Sequence, residues 1–160
     1  MRDTKGLYCS TAILYNHESP RRGEKFVTKK IVSNLVKIKN GEISYFTLGD
    51  LKSVRDWGYA KDYVRGMWLM CQQANPRDYI LATGEEHQVA DFVSYAAHVL
   101  GIPDWGKYVH EDMSLIPHND DIVPIGDSGM VKRELKWHTS VNFCELVKIM
   151  VLGELNGTLD

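Results

Sequence analysis

At 160 residues the chain has room for one domain or two small lobes, and a chain of this length typically buries about 70% of the surface its unfolded form exposes. Its 19 basic and 21 acidic side chains, with a pI near 6.3, create no field that would gather DNA or RNA, so a nucleic-acid partner is not expected. No run approaches the ~18 apolar residues of a membrane helix, and the expectation is a cytoplasmic protein without a membrane partner.

The first element expected is a strand over Leu7 to Tyr15, "LYCSTAILY", whose near-continuous apolar run suits burial on both faces in a parallel sheet. Arg2 and Lys5 precede this run, but no small-x-small cleavage site follows it, which argues against a secretory leader. Pro20 and Gly23 break the chain. Val27, Ile31, Leu35 and Ile38 then form one stripe of a helix that Asn40-Gly41 should end. "ISYFTLG" (43–49) reads as a short strand and "DLKSVRDWG" as a polar connection. Ala60, Val64, Met67, Trp68 and Cys71 predict a second helix with those residues on its buried stripe.

"DYILATG" is the next strand. The clearest helix follows, with Val89, Phe92, Val93, Ala96, Ala97 and Leu100 at i, i+3, i+4, i+7, i+8 and i+11 and Gly101 at its C-terminal cap. Residues 102–127 should be mostly loop with room for one strand. Asp127 or Ser128 can then cap a short helix through Leu135. Asn142 and Glu145 resemble a capping box for a last helix that buries Phe143, Leu146, Val147, Met150 and Val151. Strands alternating with helices place the chain in the α/β class, with right-handed crossovers.

Cys9, Cys71 and Cys144 are odd in number and far apart, and read as small buried hydrophobes of a reducing compartment rather than as disulfide partners or zinc ligands. The six histidines form no H-x-x-x-H pair, and no glycine-rich dinucleotide fingerprint occurs. Trp57, Trp105 and Trp137 could stack on a base, whereas Trp68, on its apolar stripe, should be core. Met67 and Met70 read as packing, and Asp120 and Asp121 as a solvated loop pair.

The stretch "NHESPRRGEKF" (16–26) concentrates an amide, an imidazole and two arginines, and guanidinium forks suit phosphate or carboxylate. Its bland alternative is a solvated face near a helix start, formed by Arg21, Arg22 and Lys29. With "LGDLKSVRDWGYAKDYVRGMWLM", "DYILATGEEH" and "VKRELKWHTSVNFCELVKIMV", it closely resembles the C-terminal half of the GDP-mannose 4,6-dehydratase family of extended short-chain dehydrogenase/reductases. The resemblance runs over nearly the whole chain and is weakest at 102–126. It implies a single sugar-nucleotide-binding domain over 1–160, made of late Rossmann strands and a small substrate lobe.

In that family a tightly held NADP oxidises the sugar of GDP-mannose at C4, water is lost across C5 and C6, and the hydride returns at C6. By resemblance, His17 and Arg22 face the NADP and Asn16 meets the sugar nucleotide. Val27 and Lys30 lie at the guanine end, Arg55 lies against the diphosphate, and Gly49 belongs to the same substrate group. The family's R-P-x-E falls on Pro117, His118 and Asp120. Asp120 matches the acid, but Pro117 replaces an arginine, one charged hydrogen bond fewer, worth about 1.5–3 kcal/mol.

The family's catalytic Thr or Ser, Glu and Y-x-x-x-K have no counterpart here: no tyrosine is followed by a lysine four residues later. Aligned on "GLYCSTAILYNHESP", the chain begins just past that helix. No catalytic residue is therefore assigned, and NADP is not expected to be bound by this chain alone. Three possibilities follow. The chain is the sugar-nucleotide-binding portion of a dehydratase, either cut from a longer chain or working with a separate nucleotide-binding half, or it is a non-catalytic binder of GDP or GDP-sugar, or a self-associating remnant without ligand. An apolar strand lacking its neighbours supports the last of these and should favour pairing with another chain, in a dimer or larger assembly.

Overall fold

The computed structural model describes residues 2–115 and 125–158. Pro117, His118, Asp120 and Asp121 lie outside the described residues. In chain order the elements are α1 (Arg2–Lys5), β1 (Ala12–Leu14), β2 (Asn16–Glu18), α2 (Val27–Lys39), β3 (Phe46–Leu48), β4 (Val54–Arg55), β5 (Trp57–Tyr59), α3 (Ala60–Cys71), β6 (Tyr79–Leu81), β7 (His87–Gln88), α4 (Val89–Leu100), β8 (Val109–Glu111), α5 (Gly129–Leu135) and α6 (Phe143–Asn156). Three strand pairs are parallel, β1 with β6, β2 with β5 and β3 with β8, and β4 with β7 is antiparallel. The α/β class expected from the alternation is the one observed.

Two cores divide the molecule. The larger packs α2, α4 and α6 against β3, β5 and β8, around Ile31, Leu35, Leu48, Trp57, Phe92 and Leu146. The smaller packs α3 and α5 on one face of the β1–β6 pair, around Tyr63, Met70, Tyr79, Leu81 and Trp137. An extended run from Ala12 to Glu18 joins them. It pairs with β6 through Leu14 and changes partner at Tyr15 to pair with β5, so β2 and β5 form a seam between the cores.

The helices with one apolar stripe form as expected. In α4 all six stripe residues are buried and Gly101 caps the helix at φ 73°, a left-handed conformation that costs glycine little. In α6 the five expected residues are buried and the capping box closes, Asn142 Oδ1 accepting from the Glu145 amide at 2.9 Å and Glu145 Oε2 from the Asn142 amide at 3.0 Å. Ser128 occupies the cap of α5 without a side-chain bond, while Asp127 Oδ1 accepts from the Gly129 amide at 2.7 Å.

Several expectations fail. The helix α3 forms, but rotated from its expected face: Asp62, Tyr63, Gly66 and Met70 are buried, whereas Val64 (59%) and Trp68 (60%) are exposed. Trp68 is therefore not core. The reason is packing at Gly66, where an added Cβ would lie 2.9 Å from Leu81 and 3.0 Å from the Trp137 indole nitrogen; this bare spot lets the helix settle on β6. The long first strand shrinks to three residues; Leu7 and Tyr8 lie exposed ahead of it, and Ile13 is exposed because, among the described residues, only one face of the β1–β6 pair is covered. All three cysteines are exposed, Cys9 on the chain leading to β1, Cys71 at the solvent side of α3 and Cys144 on the outer face of α6.

Candidate functional site

Ligands of open parallel sheets bind beyond the carboxyl ends of the strands. Beyond β1 and β6 those positions belong to Asn16–His17 and Thr83–Gly84. The turn after β6 is fixed by Asp56, whose Oδ1 accepts from the Thr83 amide (3.0 Å) and hydroxyl (2.7 Å) and whose Oδ2 accepts from the Gly84 amide (2.9 Å). Gly126 passes so close that an added Cβ would stand 2.1 Å from the Ala82 Cβ and 2.9 Å from the Tyr15 ring. Next to it opens a cavity of about 380 Å³ lined by Gly84, Ile125–Gly129 and Lys132.

Register brings part of the expected site together. Asn16 pairs with Trp57 and His17 with Gly58, so Arg55 stands two residues from the partner of Asn16. Arg55 itself lies opposite His87 in the β4–β7 pair, and one guanidinium nitrogen donates to the Val54 carbonyl at 2.7 Å. His87 stacks on Phe143 with ring centroids 3.7 Å apart and its Nε2 3.6 Å from Glu85. Val27 and Lys30 sit in the first turn of α2, with Val27 packed against the larger core, and Gly49 follows β3.

The "NHESPRRGEKF" stretch is solvated at Arg21 and from Gly23 to Phe26, whereas Arg22, and Lys29 just beyond it, are drawn inward. Arg22 is 20% exposed; its guanidinium carbon lies 3.5 Å from the Phe26 ring centroid, and its Nε stands 3.2 Å from Glu18 Oε2, an ion pair without the alignment of a hydrogen bond. Glu18, 1% exposed, also accepts from the Thr28 hydroxyl at 2.5 Å. Burial raises the Glu18 carboxyl above its ordinary range, opposed by the Thr28 hydrogen bond and by the charges of Arg22 and His17. Lys29 reaches α6, donating to Glu154 at 2.5 Å and to the Pro20 carbonyl at 3.2 Å.

His17 Nδ1 lies 2.9 Å from the Tyr15 carbonyl, a contact that requires the proton on Nδ1; Nε2 accepts in the neutral ring and donates in the charged one. Its ring stacks on Tyr63, 5.3 Å between centroids. Tyr63 is wholly buried, its hydroxyl has no hydrogen-bond partner among the described residues, and burial, with Asp56, Asp62 and Glu18 nearby, raises its pKa. The sequence reading missed Glu18, Asp56, Asp62, Thr28 and Tyr63. A carboxylate that will be buried looks no different in a sequence from a solvated one.

The family model described as GDP-mannose 4,6 dehydratase matches residues 1–150. The chain belongs to this family. It is 46% identical over 155 residues to GDP-mannose 4,6 dehydratase 2 of Arabidopsis thaliana and 40% identical over 171 residues to the Homo sapiens GDP-mannose 4,6 dehydratase. Each match takes in 96% of this chain, but only 41% and 46% of the relative, so the chain spans less than half the length of these relatives.

Among solved structures, RMD from Pseudomonas aeruginosa complexed with NADPH superposes with a TM-score of 0.87 at 14% identity, over 98% of this chain and 52% of that one. The dTDP-glucose 4,6-dehydratase of Bacillus anthracis, in complex with NAD, superposes with a TM-score of 0.83 at 17% identity, over 97% and 47%. At such identities the likeness is one of fold. The two-core α/β arrangement described above corresponds to about half of each of these chains. Among the described residues no helix is long and apolar enough to cross a membrane, and no cluster of His, Cys, Asp and Glu could hold a metal ion.

Proposed function

We propose that this chain is the sugar-nucleotide-binding portion of a GDP-mannose 4,6-dehydratase-type enzyme. It holds GDP-mannose, which the complete enzyme converts to GDP-4-keto-6-deoxymannose, and does no chemistry alone. The supporting observation is the β2–β5 register, which sets Asn16 opposite Trp57 and so beside the Arg55 segment, at the seam between the cores. A guanidinium there offers a charge-assisted, bidentate contact to a diphosphate, and the Asn16 amide can both donate to and accept from sugar hydroxyls. Val27 supplies an apolar contact and Lys30 a cation at the guanine end, and Gly49 joins the substrate group with a backbone free of a side chain. Asp120 takes the place of the family's acid in the sequence before Gly126.

The fit to NADP is partial. Neutral His17 presents Nε2 as an acceptor, but Arg22 is drawn to Glu18 and Phe26, and the sequence has no glycine-rich turn for a pyrophosphate. NADP, when bound, supplies the hydride acceptor; this chain contributes the His17 and Arg22 side of its site and orients the sugar nucleotide against it. It does not hold the cofactor unaided.

Calorimetric titration with GDP-mannose tests the proposal, with GDP and free mannose alongside. Saturable heat with GDP-mannose and GDP, and none with mannose, is expected. Arg55→Ala should weaken binding about tenfold or more, the equivalent of one charged hydrogen bond, with an unchanged melting temperature. No heat at millimolar GDP-mannose overturns the proposal.

A further inference from the structure

Arg22 is fixed on two sides and open on the third. Its Nε faces the buried Glu18 carboxylate, and the flat of its guanidinium lies on the Phe26 ring. Its two terminal nitrogens donate to no described residue and, unlike Nε, are not sealed from solvent. A guanidinium held in this way keeps a parallel pair of N–H donors for an oxyanion. Where that pair points is set by the backbone beneath it.

That backbone is a turn braced from outside by α6. The Arg22 amide donates to the Ser19 carbonyl at 2.9 Å, and Pro20 takes the second position of the turn, which suits its fixed φ. Pro20 is buried against Gly153, where an added Cβ would stand 2.6 Å from Pro20 Cγ and 2.7 Å from its Cβ. Lys29 of α2 spans the same contact, its Nζ donating to the Pro20 carbonyl at 3.2 Å and to Glu154 Oε2 at 2.5 Å. One ammonium therefore ties the first turn of α2, the turn that carries Arg22 and the end of α6. The apolar face of α6, from Phe143 to Val151, is complete without Lys29 and Glu154, and a partly buried ion pair adds little net stability. What the pair supplies is position.

We propose that Lys29 and Glu154 are positioning residues, which lock the Ser19–Arg22 turn against α6 and so aim the Arg22 donor pair at a phosphoryl group of the ligand. Neither side chain touches that group. The role deepens the binding function proposed above and rests on Arg22 facing a ligand phosphate. A sugar nucleotide and a dinucleotide both carry such a group, and the fork reads the chemistry they share.

The test is the rate at which phenylglyoxal, a dicarbonyl that reacts with guanidinium groups, modifies each arginine, read by mass spectrometry after digestion, with and without inorganic pyrophosphate. In the unaltered chain pyrophosphate should slow Arg22 several-fold and leave Arg65, on α3 and 44% exposed, unchanged. Lys29→Met, which keeps the apolar stem, and Glu154→Gln should each speed the modification of Arg22 several-fold and remove most of the protection, again without effect at Arg65. Lys29→Arg keeps a cation and its donors and should behave as the unaltered chain. Repeating the protection with NADP and with GDP-mannose tells whose phosphate the fork takes, and protection by either bears the proposal out. It is overturned by an Arg22 rate that is unchanged in both variants, by Arg65 rising in step with Arg22, by Lys29→Arg behaving as Lys29→Met, or by no protection in the unaltered chain. Calorimetric silence with GDP-mannose beside an Arg22 that pyrophosphate protects and the variants release rejects the GDP-mannose reading and upholds the positioning role.

Discussion

Glu18 and Tyr63 place two titratable groups where the cores meet, and each has a measurable consequence. Burial holds the Glu18 carboxyl above its ordinary 4.5, more strongly than Thr28, Arg22 and His17 pull it down. The folded state therefore binds more protons than the unfolded state in the window just above pH 4.5. Glu18 contributes stability that is fully present below its unfolded pKa and is lost as pH rises through the folded one. Glu18→Gln should flatten that part of the stability curve, measured by urea denaturation at a series of pH values; an unchanged slope would mean another group carries it. Tyr63 buries a hydroxyl without an acceptor among the described residues, its ring packed over Gly58, where an added Cβ would lie 2.5 Å from the ring. Tyr63→Phe keeps the shape and removes the unpaired donor, so a gain of about 1 kcal/mol is expected in the same urea experiment. A loss would show that the hydroxyl has a partner, such as a trapped water.

At the scale of one element, α3 shows which patterns a sequence displays and which it hides. Two apolar stripes run along it, Val64–Trp68–Cys71 and Tyr63–Gly66–Met70, and period alone cannot choose between them. The choice is made by Asp62 and Gly66. Asp62 accepts from the Ser140 amide (2.8 Å) and hydroxyl (2.7 Å) and the Val141 amide (3.4 Å), while its own carbonyl accepts from the Trp137 indole (2.8 Å), so the helix is tied to the chain entering α6. Asp62→Ala should cost about 3 kcal/mol, since hydrogen bonds to a charged group are lost and buried donors are stranded. Trp68→Ala should fall within about 0.5 kcal/mol of neutral, as exposed substitutions do. Equal losses in thermal denaturation would restore the rejected face. The helices α4 and α6 were legible because each carries a single stripe and its own cap signals, whereas strands of three residues give no alternation to read. Asn16, His17, Arg22 and Arg55 were legible only as a motif. The partners that fix the seam, Asp56 with Thr83 and Asp62 with Ser140, lie 27 and 78 residues apart, beyond any local pattern.

Across the whole molecule the cores are unequal in size and in cover. Among the described residues, nineteen buried ones make the α2–α4–α6 core, shielded by helices and by β3, β5 and β8; seven make the β1–β6 core, whose sheet has a face and an edge that no described element covers. Local opening follows the amount of apolar surface that must be exposed, so the smaller core should open at lower free energy than the larger. In native-state hydrogen exchange the amides of Leu14 and Leu81 should therefore exchange faster than those of Val93 and Val147. The contrast should widen in Asp62→Ala, because that carboxylate is a principal tie between the cores. Uniform exchange in the chain alone would mean that the Asp56 and Asp62 ties make one cooperative unit of both cores, and that the polar seam, rather than core size, limits opening.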